Sequence, residues 1–211
     1  MVDLISSAFL TLFVIIDPVG LAPIFISVAK DLDDRARRSA ALRSVVIAFI
    51  ILVLFALAGH RFLAAMGIGI PAFRIAGGLF LFWIAFEMVF EKRTTRKSDA
   101  ADRTIRDDHP DDLAAFPLAV PLMAGPGAIT AIMLLAGDAG NDPVALAAII
   151  GVLAVVLVIT ALFLLAAIPL DRKLGSTVRN VVTRLLGVIL AALAVQFVID
   201  GIRQAFPVAA G

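Results

Sequence analysis

The chain has 211 residues, of which 62% are hydrophobic and 17% are charged. A soluble domain is nearer half apolar and a quarter charged, so this composition predicts an integral membrane protein. The formal net charge of +1 gives no reason to expect a nucleic-acid partner, and the lack of cysteine excludes disulfides and thiolate chemistry.

Apolar segments divide the chain and predict an all-α membrane protein with six transmembrane helices. A span needs about 20 apolar residues. In chain order the segments cover about 4–29, 44–59, 72–90, 113–136, 144–170 and 182–198.

The first segment is interrupted in its middle by Asp17-Pro18, with Gly20 close behind. Aspartate is a favoured N-cap, and proline is favoured at the first helical position. The pair therefore predicts that one half-helix ends near Ile15 and that a second begins at Pro18. An ionisable residue near the membrane centre is also a candidate for a functional site. The alternative is that Asp17 serves as a helix cap and nothing more.

The fourth segment has a corresponding interruption at Gly125-Pro126-Gly127, and Pro126 follows Pro18 by 108 residues. Interrupted apolar segments at matching positions of two halves are the best sequence pointer to the binding site of a transporter. The pattern therefore predicts two inverted three-helix repeats whose first helices, helices 1 and 4, are broken near the midplane.

The predicted repeats are residues 1–90 and 113–211, joined by a cytoplasmic linker at 91–112. Arg74 and Arg184 support this division, because they are separated by 110 residues, close to the spacing of the prolines.

The positive charges predict the orientation of the spans. Fifteen of the 18 Lys and Arg residues lie in three stretches, at 30–43, 91–112 and 171–184. Basic loops stay in the cytoplasm under the positive-inside rule. This pattern predicts a multi-pass membrane protein with both termini outside.

In that orientation the two half-helices would start near the midplane with their N-termini facing each other. Each would offer unsatisfied N–H groups and a partial positive charge, which suit a carboxylate. Asp17 has the opposite charge, so the pattern predicts a small zwitterionic solute, although Asp17 could instead take up a proton or help to hold Na⁺. The predicted substrate-binding residues are Asp17, Pro18, Gly20, Gly125, Pro126, Gly127, Thr130 and Gln196.

Two of the polar residues have competing explanations. Gln196 could join two helices by a hydrogen bond rather than bind a ligand. Glu87 lies near the cytoplasmic end of the third segment, where we expect its side chain to reach towards the membrane surface.

Other chemistry is not indicated. The sequence has no nucleophile–base pair, no phosphate-binding loop and no cluster of metal ligands, which predicts a protein that is not an enzyme, with no metal and no cofactor. The predicted partners are the lipid bilayer and the solute, and a homo-oligomer stays open.

Two stretches resemble the signatures of a known family. Residues 17–25, DPVGLAPIF, are similar to the first signature of the MarC family, and PLAVP at 117–121 followed by GPGAIT at 125–130 is similar to the second. Residues 74–78 and 194–202 resemble the third and sixth helices of that family. The resemblance covers nearly the whole chain except the 91–112 linker.

This resemblance implies a six-span inner-membrane protein, distantly akin to the LysE exporter superfamily. Some members of the MarC family are described as transporters of small neutral amino acids. We therefore expect an exporter or exchanger of solutes such as glycine or alanine. The alternatives are a drug or metabolite efflux protein and a membrane protein that assembles with partners without transporting anything.

Overall fold

The computed structural model describes residues 1–29, 32–90, 114–140, 142–170 and 176–206. These residues are mostly helical and contain no strand, so the all-α prediction is confirmed for them. The helices are α1 (Val2–Ile16), α2 (Pro18–Val28), α3 (Asp34–Ala65), α4 (Ile70–Val89), α5 (Ala114–Met123), α6 (Pro126–Ala139), α7 (Pro143–Leu170) and α8 (Ser176–Ala205). α5 has the wider winding of a π-helix. The predicted linker at 91–112 lies outside the described residues.

Five helical stretches in the described residues are long and apolar enough to cross a membrane. They are Val2–Val28, Asp34–Ala65, Ile70–Val89, Pro143–Ile168 and Val181–Ala205. α6 is apolar but shorter, and the fourth predicted segment is divided between it and α5. Large apolar side chains such as Leu54, Val155 and Leu185 are more than half exposed. An apolar surface of this kind suits contact with lipid and confirms the prediction of a multi-pass membrane protein.

The start of α3 corrects one predicted boundary. The sequence predicted a basic loop over 30–43 and a span from 44, whereas α3 already begins at Asp34. The Asp33 carboxylate accepts a hydrogen bond from Ala36 N at 2.7 Å and caps this helix. The residues that follow are mainly arginine and alanine, which are strong helix formers. The helix therefore extends beyond the apolar segment, and its charged first turns carry the basic residues.

α4 and α8 pack against each other along their lengths through glycine residues. A Cβ atom on Gly78 of α4 would lie 2.8 Å from Ala194 O of α8. A Cβ atom on Gly201 of α8 would lie 3.0 Å from Pro71 O, and one on Gly187 would lie 3.2 Å from Ala85 O. Along these contacts the residue numbers increase on α4 and decrease on α8, so the two helices are antiparallel. Small residues allow such close approach between membrane helices.

α1, α2 and α6 lie at the centre of the bundle. α1 contacts α6, α7 and α8, and α6 also contacts α3, α4 and α7. Phe25 of α2 and Leu135 of α6 are among the largest fully buried side chains. The N-termini of α2 and α6 therefore start from within packed protein rather than from its surface.

Candidate functional site

Asp17 ends α1 and begins α2. Its backbone has φ 57° and ψ 67°, the left-handed conformation, and its N–H donates to Phe13 O at 2.9 Å. Aspartate is one of the few residues other than glycine that visits this conformation readily. Its carboxylate Oδ1 then accepts a hydrogen bond from Gly20 N at 3.0 Å, and Pro18 occupies the first position of α2. One residue thus provides both the C-cap of α1 and the N-cap of α2.

Gly20 lies directly under the Asp17 carboxylate. A Cβ atom at position 20 would lie 2.2 Å from Asp17 Oδ2, which is closer than any nonbonded contact allows. Glycine is therefore needed here for the carboxylate to fold back over the first turn of α2. Asp17 is only 2% exposed, and Pro18 and Gly20 are buried with it.

The start of α6 differs from the start of α2. Gly125 is its N-cap, with φ −79° and ψ 173°, and no side chain caps the helix. A Cβ atom on Gly125 would lie 2.3 Å from Pro121 O, so the tight turn out of α5 requires glycine. Pro126 occupies the first position and has no N–H to donate. Among the described residues, the first turn of α6 has no carboxylate cap of the kind that Asp17 gives to α2.

The structure places the start of α6 beside the end of α1. Gly127, in the first turn of α6, lies beside the last turn of α1 and beside α4. A Cβ atom on Gly127 would lie 3.6 Å from Ile15 Cγ2 and 2.5 Å from Ile84 Cδ1. Ile15 is two residues before Asp17, which caps the C-terminus of α1. The N-terminus of α6 therefore lies next to the end of α1 that Asp17 caps.

Thr130 and Gln196 have different surroundings. Thr130 lies against α4, because a Cβ atom on Gly77 would be 2.7 Å from Thr130 Cγ2. Gln196 is exposed on α8, where its Nε2 donates to Asp200 Oδ1 at 2.9 Å. It lies on the face of α8 opposite Ala194, which packs on Gly78. Thr130 therefore lies one turn beyond the residues at the start of α6. Among the described residues, Gln196 has no contact with that group.

Sequence reasoning did not identify several residues around the site. Ile15 and Ile84, which enclose Gly127, are ordinary apolar residues in the sequence and carry no signal. Arg74 of α4 is 6% exposed and forms an ion pair with Asp138 near the end of α6. Arg74 is distinctive in the sequence for its spacing from Arg184, but nothing local in the sequence pairs it with a carboxylate 64 residues away.

Glu87 also lies in different surroundings from those expected. The sequence predicted a side chain that reaches towards the membrane surface, but Glu87 is 6% exposed, and its Oε1 accepts a hydrogen bond from Trp83 Nε1 at 3.1 Å. The indole of Trp83, one turn earlier on α4, provides this partner, although Trp83 itself is 56% exposed. Among the described residues, no group of three or more His, Asp or Glu could hold a metal ion.

Comparison with known proteins identifies the family. The sequence profile described as MarC family integral membrane protein matches residues 2–206. The chain is 35% identical over 209 residues to the UPF0056 membrane protein YvbG of Bacillus subtilis, covering 99% of this chain and 98% of that protein. It is 34% identical over 206 residues to the UPF0056 inner membrane protein YhgN of Escherichia coli, covering 96% and 97% respectively. No solved structure matches the chain. The chain belongs to the MarC family of integral membrane proteins.

Proposed function

We propose that this protein is a secondary membrane transporter that exports or exchanges small neutral amino acids such as glycine and alanine. The observation that carries the proposal is the packing of the start of α6 beside the end of α1 inside the bundle, where Gly127 lies near Ile15 and Asp17 is buried two residues further on. Helix N-termini favour a carboxylate, and a buried aspartate favours an ammonium group. A small zwitterion carries both groups on one molecule.

The two starts have different parts in this proposal. The N-terminus of α2 is already capped by the Asp17 carboxylate, whereas no side chain caps that of α6. The solute carboxylate therefore binds at Gly125, Pro126 and Gly127, with Thr130 one turn further on, and the ammonium group binds beside Asp17. Pro18 and Gly20 hold Asp17 in place. A ligand role for Gln196 stays a prediction, as does coupling to H⁺ or Na⁺ through Asp17.

In the proposed architecture, six spans form two inverted repeats. α1 with α2 forms the first span and α5 with α6 the fourth, and both are broken near the midplane. The helix contacts support this arrangement, because they occur in corresponding pairs: α3 contacts α6 as α7 contacts α2, and α3 contacts α5 as α7 contacts α1. α4 and α8, which correspond to each other, form a pair across the two halves. Three spans in each half require the second repeat to be inverted. The proposal involves no enzymatic step and no resident cofactor.

Transport of labelled alanine by the purified protein in proteoliposomes tests the function. We expect counterflow, in which external labelled alanine accumulates in vesicles loaded with unlabelled alanine, and no accumulation in empty vesicles or in vesicles loaded with a dicarboxylate. Absence of alanine counterflow, together with counterflow of a hydrophobic cation, would favour a drug-efflux protein. Absence of counterflow with every solute would favour a membrane protein that assembles with partners.

The proposed orientation, in the inner membrane with both termini outside, gives a second expected result. Ser39 lies near the start of α3 and Met66 lies just beyond its end, and both are exposed. The protein has no cysteine of its own. With single cysteines in spheroplasts, we expect a membrane-impermeant maleimide to label Met66→Cys and to leave Ser39→Cys unlabelled until the membrane is permeabilised. The reverse pattern would invert the topology, and labelling of both without permeabilisation would contradict α3 as a span.

A further inference from the structure

The hydroxyl group of Thr11 is a buried polar group that the proposed site leaves unexplained. Thr11 lies within α1, is 0% exposed, and among the described residues its Oγ1 has no hydrogen-bond partner. A buried hydroxyl that makes no hydrogen bond destabilises the folded protein, because it has lost its bonds to water. A native structure rarely keeps such a group without a use for it.

Two other buried hydroxyls in the described helices are bonded within their own helix. Thr160 Oγ1 donates to Val156 O at 2.9 Å, and Ser44 Oγ donates to Ala41 O at 2.9 Å. This bond to a preceding carbonyl is the usual solution for serine and threonine in membrane helices. Thr11 has the same option within α1 and does not use it, so its hydroxyl is free to bond a group from outside the helix.

Thr11 faces the interior of the bundle. The groove between α1 and α7 is lined on the α1 side by Ile5 and Phe9, among others. Successive residues of an α-helix are about 100° apart, so Thr11 is on the side of α1 opposite Phe9. It shares a face with Ile15, four residues later. Because Ile15 adjoins Gly127 of α6, this face of α1 is the one directed at the start of α6.

The level of Thr11 along α1 fixes its relation to the candidate site. It precedes Asp17 by six residues, which is about 9 Å along a helix axis. In the proposed orientation, Thr11 lies on the outer side of Asp17. A solute that moves between the helix starts and the outer face would pass this hydroxyl in a seam whose other α1 residues, Ala8, Leu12 and Ile15, are apolar.

We propose that Thr11 is a solute-binding residue on the outer side of the site, between α1 and α6. Its hydroxyl can donate to the carboxylate of a small zwitterion and can accept from its ammonium group, so it stabilises the solute in an otherwise apolar seam. The inference rests on the proposed transport of a small amino acid. It assigns to that transport a polar contact outside the two broken segments.

Thr11→Val tests the proposal, because valine has nearly the same shape without the hydroxyl. We expect the half-saturating alanine concentration to rise by about tenfold, as for loss of a hydrogen bond to a charged group. The thermal midpoint of the purified variant should stay the same or rise, because an unsatisfied buried hydroxyl has been removed. Thr11→Ser, which keeps the hydroxyl, should restore the half-saturating concentration to near that of the unmodified protein.

Thr160→Val is the matched control, since Thr160 is equally buried but already bonded within α7. We expect its half-saturating concentration to be unchanged and its thermal midpoint not to rise. Unchanged alanine transport in Thr11→Val would overturn the proposal while leaving the transport function intact. A drop in the midpoint of Thr11→Val would also overturn it, because the hydroxyl would then be a structural partner. If the unmodified protein gives no alanine counterflow, the proposed function fails, and the rise of the midpoint alone cannot support the role of Thr11.

Discussion

Replacement of Gly78 by leucine is expected to destabilise the protein strongly. A Cβ atom at this position would lie 2.8 Å from Ala194 O and 3.0 Å from Val198 N, both backbone atoms of α8. Because backbone atoms cannot rotate out of the way as a side chain can, α4 and α8 would have to separate. Overpacking of a core costs about 1–3 kcal/mol, and a whole leucine side chain should be at the upper end of that range or beyond it. The measurement is the thermal midpoint in detergent.

Gly151→Leu provides the matched control. Gly151 is an exposed glycine within α7, and a Cβ atom there would meet nothing within 4 Å. Glycine is about 1 kcal/mol less favourable than alanine inside a helix, so this replacement should leave the midpoint unchanged or raise it. An equal loss of stability in the two variants would mean that the glycines of α4 and α8 have no special packing role.

The contact between α4 and α8 matters because it joins the two halves of the chain. In a bilayer, apolar surface alone gives little drive for helices to associate, since lipid is equally apolar. Close backbone approach at Gly78, Gly187 and Gly201 supplies dispersion contacts that lipid chains cannot match. We therefore expect the α4–α8 pair to be the stable frame of the molecule, against which the central helices α1, α2 and α6 are held.

Much of the helical framework could be predicted from local sequence. Apolar segments long enough to cross a bilayer marked the helices and predicted the all-α class. Helices begin at Pro18 and Pro126, because the fixed φ of proline suits the first turn of a helix. Each proline also follows a residue that can adopt the conformation of an N-cap. The start of α3 was wrong because hydropathy marks the apolar part of a helix and not its charged first turns.

The surroundings of the site could not be predicted in the same way. Hydropathy is nearly uniform around a membrane helix, so it does not tell which face meets protein and which meets lipid. Glu87 was assigned to the surface from its position near the end of the third segment, although its side chain is buried and accepts a hydrogen bond from Trp83. The pairing of Arg74 with Asp138 depends on the approach of α4 to α6, for which sequence spacing gives no information. The hydroxyl of Thr11 is likewise unusual only once its neighbours are known.

The backbone conformation of Asp17 limits which replacements can test its role. The sequence predicted an N-cap, but the structure adds a left-handed backbone at the same residue, with φ 57°. A replacement must therefore tolerate this conformation as well as cap α2. Asparagine does both, and glycine tolerates the conformation and loses only a few tenths of a kcal/mol as a cap. Alanine does neither well, because loss of the cap costs about 0.5–2 kcal/mol and the left-handed backbone costs about 1–2 kcal/mol more.

Asp17→Asn is expected to abolish alanine counterflow while the thermal midpoint stays close to that of the unmodified protein. Asparagine can still accept the hydrogen bond from Gly20 N, so α2 should start at the same residue. The variant loses the negative charge, and hydrogen bonds to a charged group are roughly twice as strong as neutral ones. The solute ammonium group, or a coupling cation, then has no counter-charge at the site.

Asp17→Gly and Asp17→Ala complete the series and separate charge from structure. If the carboxylate binds the solute or a coupling ion, Asn and Gly should both fold and both fail to transport, and Ala should fail to transport and also lose stability. Normal counterflow by the Asn and Gly variants, with a loss confined to the unstable Ala variant, would show that Asp17 is a cap and nothing more. The counter-charge for transport would then have to come from another buried acidic residue, of which Glu87 is the first to replace, by glutamine, in the same counterflow measurement.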